Sequence, residues 1–253
     1  MERLRGNVEA EKAIKPTLFI CFGLSGAGLT SVINELCDSG LAKSAPSQFV
    51  TRRLRPSEKF GDQYYPVTNE ILAKVSRQIA LQSEYYGFKY GFFHPALKRI
   101  ERALDSGRNV IIDSGNSVSD WRELINNQFP IISIFFSPQN PFICIDRIVL
   151  RTQRLGQALS IEDLITRAIG NSQNIAKIGN YDYWVDTTEF VNIFPVTKSI
   201  IKIHSFDSIN KHPKITVVKE NPDKISELIK SFSIDPQQYC VQVASKFQPK
   251  FLD

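Results

Sequence analysis

An apolar run, Thr17–Phe22 (TLFICF), leads straight into Gly23–Thr30 (GLSGAGLT), and Thr30–Cys37 follows with Val32, Ile33 and Leu36 on one helical side. This feature constrains the chain most. A short continuous apolar run reads as a strand buried on both faces. A glycine-rich turn after it lets consecutive N–H groups converge on one anion in front of a helix. Gly23, Ser25, Gly26, Ala27, Gly28, Thr30 and Ser31 are therefore candidate phosphate-binding residues. Thr30 stands where the G-x-x-x-x-G-K-[ST] pattern places a magnesium ligand. The lysine position of that pattern holds Leu29. The lysine supplies a mobile charge to the transferring phosphate, and losing one well-placed donor typically costs ~10²–10³ in rate. The loop suits an anion, while ordinary ATP catalysis is put in question.

The same grammar recurs along the chain. Pro95 opens a helix with Leu97, Ile100 and Leu104 as its apolar stripe, and Gly107 closes it. Asn109–Asp113 is a buried strand ending in a carboxylate. Ser119–Asn126 is helical, Ile131–Phe136 (IISIFF) is another buried strand, and Asn140 and Pro141 open the next helix. Ser160 caps a further helix, with Glu162 and Asp163 in its first turn. Tyr183–Asp186 is a last short strand. Buried strands alternating with helices predict an α/β fold, a parallel sheet with helices on both faces.

Two segments depart from this texture. Between Gln48 and Gly91 aromatic residues cluster, and short β-like pieces are separated by Gly61 and Gly87, which predicts a small mixed β subdomain inserted at about 48–91. After about Thr188 the arginines stop, and nine of the 17 lysines lie from Lys198 onward. This segment, 189–253, reads as an α+β C-terminal appendage. Ile200–His204 and Ile215–Val218 look like strands, a helix runs from Asn221 to about Phe232, and Tyr239–Ala244 looks like a last strand. Phe232, Tyr239 and Phe247 are the apolar anchors expected to dock the appendage on the core. Residues 1–16 read as an N-terminal arm, mixed in charge and without the apolar stretch of a secretory signal.

With 253 residues, 42% hydrophobic and 23% charged, the chain has the composition of a globular protein with a real core. That excludes a disordered tail, a collagen-like rod and a coiled coil. Its net charge of +5 suits phosphate-bearing ligands and is too modest to imply nucleic acid. Four scattered cysteines with no C-x-x-C spacing exclude a zinc ribbon and a disulfide scaffold. A reducing, cytoplasmic setting is expected. The three histidines form no metal pattern, and no segment reaches the roughly 18 apolar residues of a membrane span.

Three further stretches carry a resemblance. Thr51-Arg52-x-x-Arg55-Pro56-x-Glu58-x-x-Gly61-x-x-Tyr64 resembles the T-R-x-x-R-x-G-E-x-x-G-x-x-Y stretch of guanylate kinases, with Ser57 in place of that pattern's glycine. Gly87-Phe88-Lys89-Tyr90-Gly91 resembles their G-x-Y-Y-G, and Tyr181-Asp182-Tyr183 their Y/F-D-Y. With the glycine loop, the likeness covers about residues 17–188. It implies that Arg52, Arg55, Tyr64 and Tyr90 grip the phosphate of a monophosphate substrate. The residue types agree, because guanidinium forks pair with phosphate oxygens and phenols add donors. Arg53 is expected to face solvent, with Glu58 orienting one guanidinium. The resemblance also implies ATP and magnesium as cofactors, and a lid at about 147–167. Arg147, Arg151, Arg154 and Arg167 lie there; Arg151, Arg154 or Lys89 could supply the charge that Leu29 lacks.

The family reads guanine with two carboxylates and a serine. Their positions fall at Leu81, Gly115 and near Gln48, so the base reader looks lost while the phosphate grip looks retained. Glu84 and Asn116 are neighbouring candidates for contact with a different base or sugar. Three readings follow. One is a catalytically weakened module that binds a phosphorylated small molecule or a phosphoprotein. Another is an active kinase for a different phosphorylated small molecule, as in the related ribose bisphosphokinases, which keep the lysine. The third is an assembly subunit that meets a protein partner through its appendage.

Overall fold

The computed structural model describes residues 15–45, 47–54, 58–61, 64–156, 159–205, 215–230 and 235–246. The N-terminal arm up to residue 14, Arg55, Phe232 and Phe247 lie outside the described residues. In chain order the elements are β1 (Leu18–Gly23), α1 (Leu29–Asp38), β2 (Lys43–Ser44), β3 (Gln48–Val50), β4 (Tyr64–Pro66) and α2 (Asn69–Lys74). Then come β5 (Ile79–Tyr85), β6 (Phe88–Phe93), α3 (His94–Asp105), β7 (Val110–Asp113), α4 (Val118–Leu124), β8 (Ile131–Ser137) and α5 (Ile143–Arg154). The chain continues with α6 (Ile161–Ile175), β9 (Tyr183–Asp186), α7 (Ile193–Ser205), β10 (Ile215–Val217), α8 (Pro222–Lys230) and α9 (Pro236–Lys246).

The main sheet runs β10-β9-β8-β1-β7-β2, with every pairing parallel except β10 against β9. Side-chain alternation along β1 explains its two layers. Phe19 and Cys21 face α1 and α7, in a core with Val32, Ile33, Ile193, Val196 and Ile200. Leu18 and Ile20 face α3 and α4, in a second core with Ile100, Leu104 and Trp121. The fold is α/β, as the alternating pattern predicts. A smaller sheet, β4-β3-β6-β5, carries the aromatic segment and leans over the C-terminal ends of the main strands.

Asp182 shows what the Tyr-Asp-Tyr motif does structurally. Its carboxylate accepts from the Ser133 N–H at 2.9 Å and the Ser133 hydroxyl at 2.7 Å, which sets β9 beside β8. Trp184 in the same strand donates to the Ser137 carbonyl at 3.1 Å.

Two expectations for the C-terminal segment are corrected. Ile200–His204 is the end of helix α7, not a strand. Ile193, Val196, Thr197, Ile200 and Ile201 recur at helical spacing, and all are buried; a five-residue window with three isoleucines hides that period. Tyr239–Ala244 lies within helix α9. Pro236 sits in its first turn, and Tyr239, Cys240 and Val243 share one face that packs on α5 and α6. The Tyr239 hydroxyl donates to the Asp146 carboxylate at 2.9 Å, and its ring lies 4.1 Å from that of Phe142. Ile215–Val217 is a strand and α8 a helix, as the pattern indicates.

Candidate functional site

A cleft of about 670 Å³ opens between the glycine turn, the small sheet and the α5–α6 hairpin. Gly26 and Gly28 have φ of 99° and 89°, in the left-handed region that favours glycine. Both are also tightly packed. A Cβ on Gly26 would collide with the Cys144 carbonyl of α5, and one on Gly28 with the Phe190 ring. The turn brings Gly23, Ser25, Gly26, Gly28, Thr30 and Ser31 to the cleft wall; Ala27 is fully buried behind it. The N–H groups of the first turn of α1 have no intrahelical acceptor, as at any helix start.

Ser25 is tied to α6. Its N–H donates to Asn171 Oδ1 at 2.8 Å, and its hydroxyl accepts from Arg167 Nη1 at 2.9 Å. The Tyr86 hydroxyl donates to the same Asn171 oxygen at 3.0 Å. Tyr86 and Gly87 both have positive φ, the two-residue turn that closes a β-hairpin. The tip of the small sheet is thereby bonded to the phosphate loop through one buried asparagine.

Leu29 is only 8% exposed and belongs to the core around α1, while its edge still forms part of the cleft wall. No cation stands at this position. Arg147, Arg151 and Arg154 of α5 also line the cleft. Arg147 Nη2 donates to the Thr187 and Thr188 carbonyls at 2.7 and 3.0 Å, and its guanidinium lies 5.7 Å from the Phe190 ring centre. Its Nη1 is buried with no hydrogen-bond acceptor among the described residues.

At the other end Arg52 forks onto Glu58 at 2.6 and 2.7 Å, and its Nε donates to the Tyr90 hydroxyl at 3.2 Å. The Tyr64 ring lies 5.0 Å beneath the same guanidinium. Burial works against the charge on Arg52, but its bonds to Glu58 outweigh that and raise its pKa, so it stays charged. Arg53 is exposed. Arg52, Tyr64 and Tyr90 thus form one cluster.

Thr30 and Asp113 share a small recess beside the cleft, together with Gln48 and Tyr64. Asp113 is the one carboxylate among the described residues lining the cleft. Its charge adds to burial in pushing Tyr64 up. No group of three or more metal-ligating side chains occurs among the described residues.

The remaining candidates stand apart. Glu84 is exposed on the outer face of β5, opposite Lys89, and neither lines the cleft. Lys89 donates its backbone N–H to Thr51 instead. Asn116 is buried in a turn with Ser114, away from the cleft. For Glu84 and Lys89 the cause is that adjacent strand residues alternate faces, while Asn116 lies in the turn after β7 with its backbone N–H bonded to the Ser114 hydroxyl. Leu81 packs against the α3–α4 core. Gln48 does reach the cleft, where its amide donates to the Asp113 carbonyl.

Residues 15–203 match the guanylate kinase family model. The chain belongs to the guanylate kinase family. It is 27% identical over 189 residues to a guanylate kinase of Nitrosospira multiformis, covering 74% of this chain and 85% of that one. It is 28% identical over 193 residues to a guanylate kinase of Thiobacillus denitrificans, covering 72% and 86%. The crystal structure of guanylate kinase from Anaplasma phagocytophilum superposes with a TM-score of 0.55 at 18% identity, over 83% of this chain and 94% of that one. The family span reaches residue 203, near the end of α7, and stops before β10, α8 and α9.

In and beside this guanylate kinase-like cleft, four residues carry no signal of their role in the sequence. Tyr85, Tyr86 and Asn171 carry no motif, and each matters through a contact made across the fold. Phe190 lies just past the last recognised strand. For Asp113 the signal was present, a carboxylate ending a buried strand at the same end as the glycine turn.

Proposed function

We propose that this cleft binds a nucleotide or another phosphorylated ligand, and that the protein is weak or inactive as a conventional GMP kinase. The observation that carries the reading is Leu29: buried and uncharged, between Gly28 and Thr30, where phosphoryl transfer needs a mobile cation. Support for retained anion binding comes from the Arg52–Tyr64–Tyr90 cluster and the arginines of α5. Charge-assisted bonds from such groups survive the loss of the lysine.

The donor set fits magnesium-ATP. Thr30 and Asp113 offer the hard oxygen ligands magnesium prefers, and the glycine turn with Arg147, Arg151 and Arg154 would hold the phosphates. When bound, ATP supplies the transferable phosphoryl group. Arg147 favours a second reading, an active kinase for another phosphorylated small molecule. Its buried Nη1 has no acceptor among the described residues, which suits an anionic ligand beside α5.

Titration with ATP, with and without magnesium, separates the two. Binding of phosphorylated ligands without magnesium-dependent ATP binding supports the first reading; tight magnesium-dependent binding supports the second. A coupled assay with GMP giving a turnover near ~10 per second, typical for enzymes, would overturn the first. Leu29→Lys is expected to strengthen ATP binding roughly tenfold, as one new charge-assisted bond should. No gain in affinity or transfer would mean that the donor site differs beyond residue 29, and would count against the second reading.

A further inference from the structure

Beside the Arg52–Tyr64–Tyr90 cluster stands Tyr85, its ring centre 6.3 Å from that of Tyr90. A ligand anchored by its phosphate at that cluster meets this ring next. The ring is walled in. Phe22 packs obliquely at 5.4 Å, and the Lys177 ammonium lies 5.4 Å from the ring centre. The Tyr85 hydroxyl donates to the Gly115 carbonyl. A Cβ at Gly115 would lie well inside contact distance of three atoms of the Tyr85 side chain, so residue 115 can carry no side chain while Tyr85 takes this position. Burial pushes the phenol up to about 12, so it is a neutral donor already in use. The space a residue-115 carboxylate would enter is therefore filled by a packed aromatic wall. Phe22 and Lys177 flank the ring, and its hydroxyl, already spent as a donor on the Gly115 carbonyl, offers a single phenol oxygen where a carboxylate would offer two acceptors.

We propose that Tyr85 is the specificity determinant of the Arg52 end of this cleft, restricting that end to phosphate monoesters whose organic part is no larger than a sugar or short polyol and carries no nucleobase. This rests on the phosphate grip proposed above. A base brought to this end either displaces the Tyr85 ring or forfeits a carboxylate at position 115 for its paired N–H groups, and a site that withholds such a partner discriminates strongly. A short polyol stops before the ring and keeps its hydroxyls toward the open mouth.

The test is calorimetry on the full chain with ribose 5-phosphate, glycerol 3-phosphate, GMP and AMP, counting only binding that Arg52→Ala removes. Ribose 5-phosphate is expected to bind at least about tenfold tighter than either nucleotide. Tyr85→Ala should bring the two classes within about twofold by strengthening the nucleotides, while Tyr85→Phe, which keeps the ring, should preserve the preference. GMP binding as tightly as ribose 5-phosphate overturns the proposal but leaves the phosphate grip standing. So does a preference that Tyr85→Ala leaves unchanged. If no ligand in the panel shows Arg52-dependent binding, the grip itself fails and the proposal falls with it.

Discussion

Ending the chain after Thr188 abolishes cooperative folding. The deletion removes α7, whose Ile193, Val196, Ile200 and Ile201 are at most 1% exposed and fill one face of the main sheet. Burying four such side chains contributes about 6–12 kcal/mol. A whole domain is stable by only about 5–15 kcal/mol. The cut would also bare Phe19, Ile134 and Phe136 on that face. The expected product is insoluble, or lacks a sigmoidal thermal transition by circular dichroism. A soluble fragment melting within a few degrees of the full chain would show that α7 is dispensable. Ending the chain after Lys230 is the companion measurement. It spares α7 and removes only α9, so a cooperative transition should persist at a lower midpoint.

Arg52→Ala should weaken binding of a phosphorylated ligand by roughly one to two orders of magnitude, the worth of one charge-assisted fork. Arg53→Ala, at an exposed neighbour, should change it little. The structure adds a second expected effect. The side chains of Arg52 and Glu58 are 10% and 6% exposed, so removing the arginine takes the forked partner from a buried carboxylate. Breaking such a pair costs about 3–5 kcal/mol. Arg52→Ala should therefore lower the melting temperature as well. Arg52→Lys separates the two effects, since it keeps a charge against Glu58 but loses the planar fork. Affinity should then fall more than stability. Equal, small changes for Arg52→Ala and Arg53→Ala in both measurements would refute the assignment of this cluster as the anion site.

Much of the fold was legible because its signals are local. Thr17–Phe22 before a glycine-rich turn specifies a strand, a turn and a helix, and β7, β8 and β9 announce themselves as short apolar runs. Tertiary packing decided the two misread segments. α7 needs nine residues before its period emerges, and the face of α9 makes sense only against α5 and α6. The candidate site divides the same way. The Arg52–Glu58 fork was legible because its partners sit six residues apart in one motif. Tyr85 with Gly115, and Tyr86 with Asn171, are pairs separated by 30 and 85 residues. No pattern in the sequence states that a glycine is small because a distant tyrosine needs its space.

The small third core bears on motion. Ile145, Ile148, Leu164 and Ala168 of the α5–α6 hairpin bury against Cys240 and Val243 of α9, while Cys144 and Ile175 of the same two helices join the core around α1. Elements that share a private core tend to open as one cooperative unit. Hydrogen exchange should then show α9 gaining protection and losing it in step with α5 and α6. Any swing of the arginine-bearing hairpin over the cleft would carry the tail with it as ballast, a paddle of three helices where two would reach the ligand.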